Sequence, residues 1–217
     1  MPAASRPGGG SATAWVVVLL MMGMAAGCAT SVTPASLERA RSLPERQREA
    51  VAAWLINSPL DPLQVTGIAE LARGLRRAGY DVETLAAASG GSLAKRVREA
   101  HGEGRVAALI AWSGASLWVH DALTELDAAG ERVELVVYLD SNWIKGRIKE
   151  RGHPTNADRV ALVYRRNNPF PAIPGAARHE VDELNHLAVP RRREAATAVL
   201  DELTRLAGGD EGEAGRD

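Results

Sequence analysis

Short apolar runs alternate with amphipathic stretches from about Ala53 to Leu206. Ala53–Asn57, Tyr80–Leu85, Val106–Trp112, Val133–Leu139, Arg159–Tyr164 and Arg178–Leu184 read as strands. Val106–Trp112 has no polar member, which implies burial on both faces, as in a parallel sheet covered by helices. Between the runs, apolar residues recur at helical spacing. Ile68, Leu71, Ala72 and Leu75 line one face of a helix stopped by Gly79. Ser92–His101 follows, before Gly102 and Gly104, and Val119, Ala122, Leu123 and Leu126 line a third helix that closes at Gly130. Pro190 is expected to open a last helix with Val199, Leu203 and Leu206 facing inward, and Ser141–Asp158 reads as a polar insert. The pattern predicts one α/β domain over 45–207, three layers deep, with a mostly parallel sheet and helices on both faces.

Composition narrows the class. The chain has 217 residues, 46% hydrophobic and 24% charged, which excludes a disordered or collagen-like protein. Lysine plus arginine number 26 against 27 acids, and the arginines are spread along the chain, so nothing favours nucleic acid as a partner.

The first residues read as an address. Arg6 precedes a Gly/Ser stretch and the apolar run Ala14–Met24, shorter than the roughly 20 residues of a spanning helix, and so a signal-peptide core. Ala25-Ala26-Gly27-Cys28 resembles the lipobox of bacterial lipoproteins. That resemblance implies removal of 1–27, lipidation of Cys28, and an anchor to a membrane of the bacterial cell envelope on its periplasmic or extracellular face. Cys28 is the sole cysteine, so a disulfide within the chain is excluded. Residues 28–44 are expected to form a polar tether, and 208–217, rich in glycine and acid, a disordered tail.

In open parallel sheets ligands bind beyond the carboxyl ends of the strands, where Ser113, Asp140 and His186 each follow an expected strand. A serine on a sharp strand-to-helix turn presents its hydroxyl outward. It needs an imidazole to take its proton, and the imidazole needs a carboxylate to set its tautomer. The chain order is Ser, Asp, His.

This order, together with Leu55–Leu60, Leu109–Ser116, Val136–Asp140 and Asn185–Pro190, resembles the α/β-hydrolase superfamily, and within it the small lipase- or thioesterase-like hydrolases that lack a lid. The resemblance implies Ser113 as nucleophile, His186 as base and then acid, and Asp140 as the orienting carboxylate. Its oxyanion donors would be the amide of Gly114 and one from Ser58 or Leu60, since Pro59 has none. It implies an ester or thioester substrate, either a small molecule or a lipid, and no cofactor or metal. The family's G-x-S-x-G stands here as Ala111-Trp112-Ser113-Gly114-Ala115, with alanine at both outer glycines. That departure motivates a second reading, a non-catalytic envelope module using the same fold for binding or scaffolding.

Each residue also has a plainer reading. Ser113 can be a helix N-cap, Asp140 a turn cap, and Ser116 a packing residue one turn further on. His101 and His120 fall on helices and His153 in the insert. His179-Glu180-Val181-Asp182-Glu183 lacks the second histidine that a zinc-binding helix requires four places on. Arg191-Arg192-Arg193 reads as a solvated charge run, with anionic lipid head groups as the minority reading. Trp112 or Trp143 is expected to wall the nucleophile, and no Gly-rich phosphate loop follows the first strand.

Overall fold

A computed structural model describes residues 32–59, 61, 66–86, 88–168 and 172–209. The elements run α1 (Pro34–Ser42), α2 (Glu45–Glu49), β1 (Val51–Ile56), α3 (Ile68–Arg77), β2 (Asp81–Leu85), α4 (Gly90–Gly102) and β3 (Val106–Trp112). A 3-10 turn (Ser113–Ala115) then leads into α5 (Ser116–Ala128), β4 (Val133–Leu139), α6 (Ile144–Arg151), β5 (Ala157–Arg165) and β6 (Ala177–Val181). A second 3-10 turn (His186–Arg191) precedes α7 (Arg193–Gly208). The six strands form one parallel sheet in the order β2-β1-β3-β4-β5-β6. The chain winds outward from β1 to β2, then back across to β3, so the direction of winding reverses between β1 and β3. In open parallel sheets such a switch point is where ligands bind, beyond the carboxyl ends of the two strands.

The alternation of side chains along each strand feeds two separate cores. Ala108, Ile110 and Trp112 of β3 pack with α3, α7 and Ala40 of α1. Ala107, Leu109 and Ala111 pack on the other face, with α4, α5 and Ile144 of α6. Burying a leucine or isoleucine of this kind contributes about 1.5–3 kcal/mol, and the central strands do so on both faces. The expected helical stripes are the buried ones: Ile68, Leu71, Ala72 and Leu75 in α3, and Val119, Ala122, Leu123 and Leu126 in α5. Among the described residues no helix is long and apolar enough to cross a membrane.

Four expectations are corrected. The segment read as a tether over 28–44 carries a docked helix from Pro34 on. Thr33 caps it, Ala40 is buried in the core, and Arg39 pairs with Asp201 of α7 at 2.8 Å. Its apolar positions are too few to stand out from the polar background. The polar insert 141–158 likewise holds α6, seated through Ile144 and Ile148 one turn apart. β6 stops at Val181 and not at Leu184, because Glu183 Oε1 accepts the amides of Leu184 (2.7 Å) and Asn185 (2.8 Å) and turns the chain out of the ladder. Pro190 lies inside the second 3-10 turn, which Asn185 caps, and α7 begins only at Arg193. The expected signal peptide, Cys28 and almost all of the acidic tail lie outside the described residues.

Candidate active site

β3 delivers Ser113 to the carboxyl edge of the sheet, and the chain must turn at once to start α5 on the sheet's second face. The turn forces Ser113 to φ 54°, and Asp140, at the end of β4, stands at φ 44°. These are the two non-glycine residues with positive φ among those described. An L side chain in this region costs about 1–3 kcal/mol, so the rest of the fold must hold it there. Ser116, which sequence reasoning set aside as packing, is fully buried, and its hydroxyl donates to the carbonyl of Ser113 at 2.8 Å. The alanines at 111 and 115 are both fully buried, so the absent glycines have not kept the chain from this turn.

Asp140 extends the β4–β5 ladder one residue beyond the strand, its amide donating to Val163 O at 2.7 Å. Ser141 Oγ donates to Ala111 O at 3.0 Å, tying this turn to β3. His186 is the first residue of the second 3-10 turn, whose cap on Asn185 orients it. The three side chains converge: His186 Nε2 lies 2.7 Å from Ser113 Oγ and Nδ1 lies 2.6 Å from Asp140 Oδ2. In the tautomer with Nδ1 protonated, Nδ1–H donates to the carboxylate and Nε2 accepts from the hydroxyl. Trp112 stacks on the imidazole, ring centroids 5.2 Å apart and planes at 15°, and is itself buried in the core.

Sequence reasoning missed two partners of Asp140. Arg165, the last residue of β5, donates through Nε to Oδ2 at 2.6 Å, and Asn168 donates through Nδ2 to Oδ1 at 3.0 Å. Arg165 closes an apolar strand and Asn168 lies in a polar turn, so neither carried a motif. Burial by itself would push the Asp140 carboxyl up. The hydrogen bonds from His186 and Asn168, with the charges of Arg165 and His186, outweigh it and hold Asp140 below its ordinary range, as a carboxylate.

Of the expected oxyanion donors, Gly114 sits at the start of the 3-10 turn, where the first amides have no carbonyl within the turn to bond. The Ser58 amide is engaged elsewhere: it donates to Asn57 Oδ1 at 2.9 Å, while Asn57 Nδ2 donates to Asp61 O at 2.7 Å, which pins the loop after β1. What Ser58 brings close to Gly114 is its hydroxyl, since a Cβ at Gly114 would stand 3.3 Å from Ser58 Oγ. Leu60 lies outside the described residues. The exposed large apolar side chains among the described residues are Trp143 (53%), Leu184 (70%) and Leu187 (53%), all within three positions of Asp140 or His186.

The other histidines have local partners: His101 faces Glu134, His120 faces the Gly152 carbonyl, His153 faces Tyr138 and His179 faces Glu202. No group of three or more His, Cys, Asp or Glu side chains that could hold a metal occurs among the described residues. A cavity of about 320 Å³ lies away from Ser113, Asp140 and His186, beside β1, β2 and α4, and its Arg96 and Arg105 pair with Glu83 and Asp81 of its own wall. No protein-family model matches this chain, and no match to it stands among the curated proteins or the solved structures.

Proposed function

We propose that this protein is a serine hydrolase of α/β-hydrolase type that cleaves an ester or thioester through an acyl-enzyme. The observation that carries the reading is the continuous chain Ser113 Oγ, His186 Nε2, His186 Nδ1 and Asp140 Oδ2, with both contacts at hydrogen-bond length. Ser113 Oγ attacks the carbonyl carbon as His186 Nε2 takes its proton. The charge that develops on the carbonyl oxygen meets the Gly114 amide. His186 then hands the proton to the departing alcohol or thiol as the acyl bond to it breaks. Water, deprotonated by the same imidazole, hydrolyses the acyl-enzyme. Asp140 stays ionised throughout and stabilises the imidazolium.

Trp143, Leu184 and Leu187, exposed and within three positions of Asp140 or His186, favour a substrate whose acyl part is apolar. In the same reading Cys28 carries the lipid anchor, which sets the enzyme at a membrane of the cell envelope within reach of lipid esters. The test is labelling by a fluorophosphonate probe together with hydrolysis of short and long nitrophenyl esters. Wild type is expected to react, and Ser113→Ala to lose both. Equal labelling of wild type and variant would refute the reading. Replacing Leu184 and Leu187 by serine is expected to slow the long ester more than the short one.

A further inference from the structure

Arg165 is bound to both halves of the site. Its Nε donates to Asp140 Oδ2, the same oxygen that faces His186 Nδ1, and its Nη1 donates to Leu184 O at 2.6 Å, two residues before His186. The side chain is 14% exposed and Asp140 is fully buried, so the pairing is shielded from solvent. No ladder joins the loop carrying His186 to the end of β4, because β6 pairs with β5 and stops at Val181. One guanidinium therefore spans the gap that backbone pairing leaves open.

We propose that Arg165 is a positioning residue with two effects: it fixes the His186 loop against Asp140, and its charge weakens the hold of the carboxylate on the imidazolium. This role rests on the serine-hydrolase reading of the site. The geometry supports both effects. A shared Oδ2 places a permanent cation beside the oxygen that must stabilise protonated His186, and a like charge there disfavours the imidazolium.

Among the described residues, two other charged groups come near this centre. Lys145 of α6 reaches it through Asn168, donating to Oδ1 of that amide at 3.1 Å. Glu183, ahead of the second 3-10 turn, pairs with Arg192 at 3.0 Å and feels Arg165. Among the described residues, the end of β3 and the turn after it bring the neutral Trp112 and Ser113.

The test compares Arg165→Met with Arg165→Lys in the full chain. Arg165→Met is expected to lower kcat about 100-fold, the scale of a misplaced catalytic group, with KM within about twofold. It is also expected to move the acid limb of kcat/KM up by about one pH unit, since loss of the cation favours the imidazolium. Arg165→Lys keeps the charge but not the two-pronged reach, so kcat falls about tenfold while the limb stays in place. Nuclear magnetic resonance of the His186 ring gives a readout free of turnover: in a Ser113→Ala background, Arg165→Met should raise the midpoint of its titration by about one unit.

An unmoved ring titration, or an acid limb shifted as far by lysine as by methionine, overturns the proposal. So does a kcat loss that merely tracks the unfolded fraction in thermal melts. A wild type that resists the probe while its ring titration still responds to Arg165 would sink the hydrolase reading and leave the positioning role standing. Labelling with an unresponsive ring would do the reverse.

Discussion

Two buried carboxylates in this molecule have nearly the same surroundings. Asp140 is fully buried against His186, Arg165 and Asn168. Glu202 of α7 is fully buried against His179, Arg159 and Arg205. Each carboxyl is driven up by desolvation and is brought below its ordinary value by a histidine and by arginine charge. The difference lies in what the imidazole does next. His186 faces its carboxylate with Nδ1 and a serine hydroxyl with Nε2, and that serine sits on a strained turn at the switch point of the sheet. His179 faces Glu202 with Nε2, from the middle of β6, and no serine joins it among the described contacts. A buried carboxylate–histidine–arginine cluster is thus by itself a device for holding α7 on the sheet. In the proposed hydrolase, reactivity needs the third member and a strand end to present it.

The comparison is broken or sharpened first by substituting the two carboxylates. Asp140→Asn is expected to reduce ester hydrolysis by about a thousandfold or more, because the imidazole loses the acceptor that sets its tautomer. Glu202→Gln should leave the rate per folded molecule within about twofold, since the two clusters do not share partners. If Glu202→Gln cost as much activity as Asp140→Asn, the division between them would fail.

The next effect is on stability. Glu202→Gln leaves three basic side chains around a neutral group and is expected to cost about 3 kcal/mol in denaturant unfolding. Its pH dependence has a definite sign. Glu202 is held at about 2 in the folded state against an ordinary 4.5, so its stabilisation is complete above pH 4.5 and drains away as pH falls toward 2. Melting temperatures measured from pH 6 down should fall less steeply in Glu202→Gln than in wild type.

A smaller effect separates strain from chemistry. Ser113→Gly and Ser113→Ala both remove the hydroxyl, but only glycine relieves the backbone at φ 54°, so the glycine variant should be the more stable by about 1 kcal/mol. Equal melting temperatures would mean that the turn holds no strain. The smallest effect belongs to a pair with no such surroundings. Lys95 and Glu99 on α4 lie 3.6 Å apart and well exposed, and Lys95→Ala should shift stability by less than about 0.5 kcal/mol.

The fold was legible where hydrophobic pattern alone decides. The apolar run of β3 and the stripes of α3 and α5 announced a buried parallel sheet, because residues buried on both faces or on one helical face must be apolar whatever surrounds them. α1 and α6 were not legible, since each is seated by only a couple of buried positions amid polar residues. Within the site, Ser113, Asp140 and His186 could be picked out one by one from their places after strands.

Sequence by itself therefore determined the layers and the residue types at the strand ends, which follow from local spacing and transfer from water. That three side chains spread over 73 positions meet at 2.6 and 2.7 Å was decided by the order of the parallel strands. The contact of Arg165 with Asp140 was likewise decided by tertiary structure. Such contacts depend on the register between distant strands and on where the chain turns after each of them. No local pattern records either.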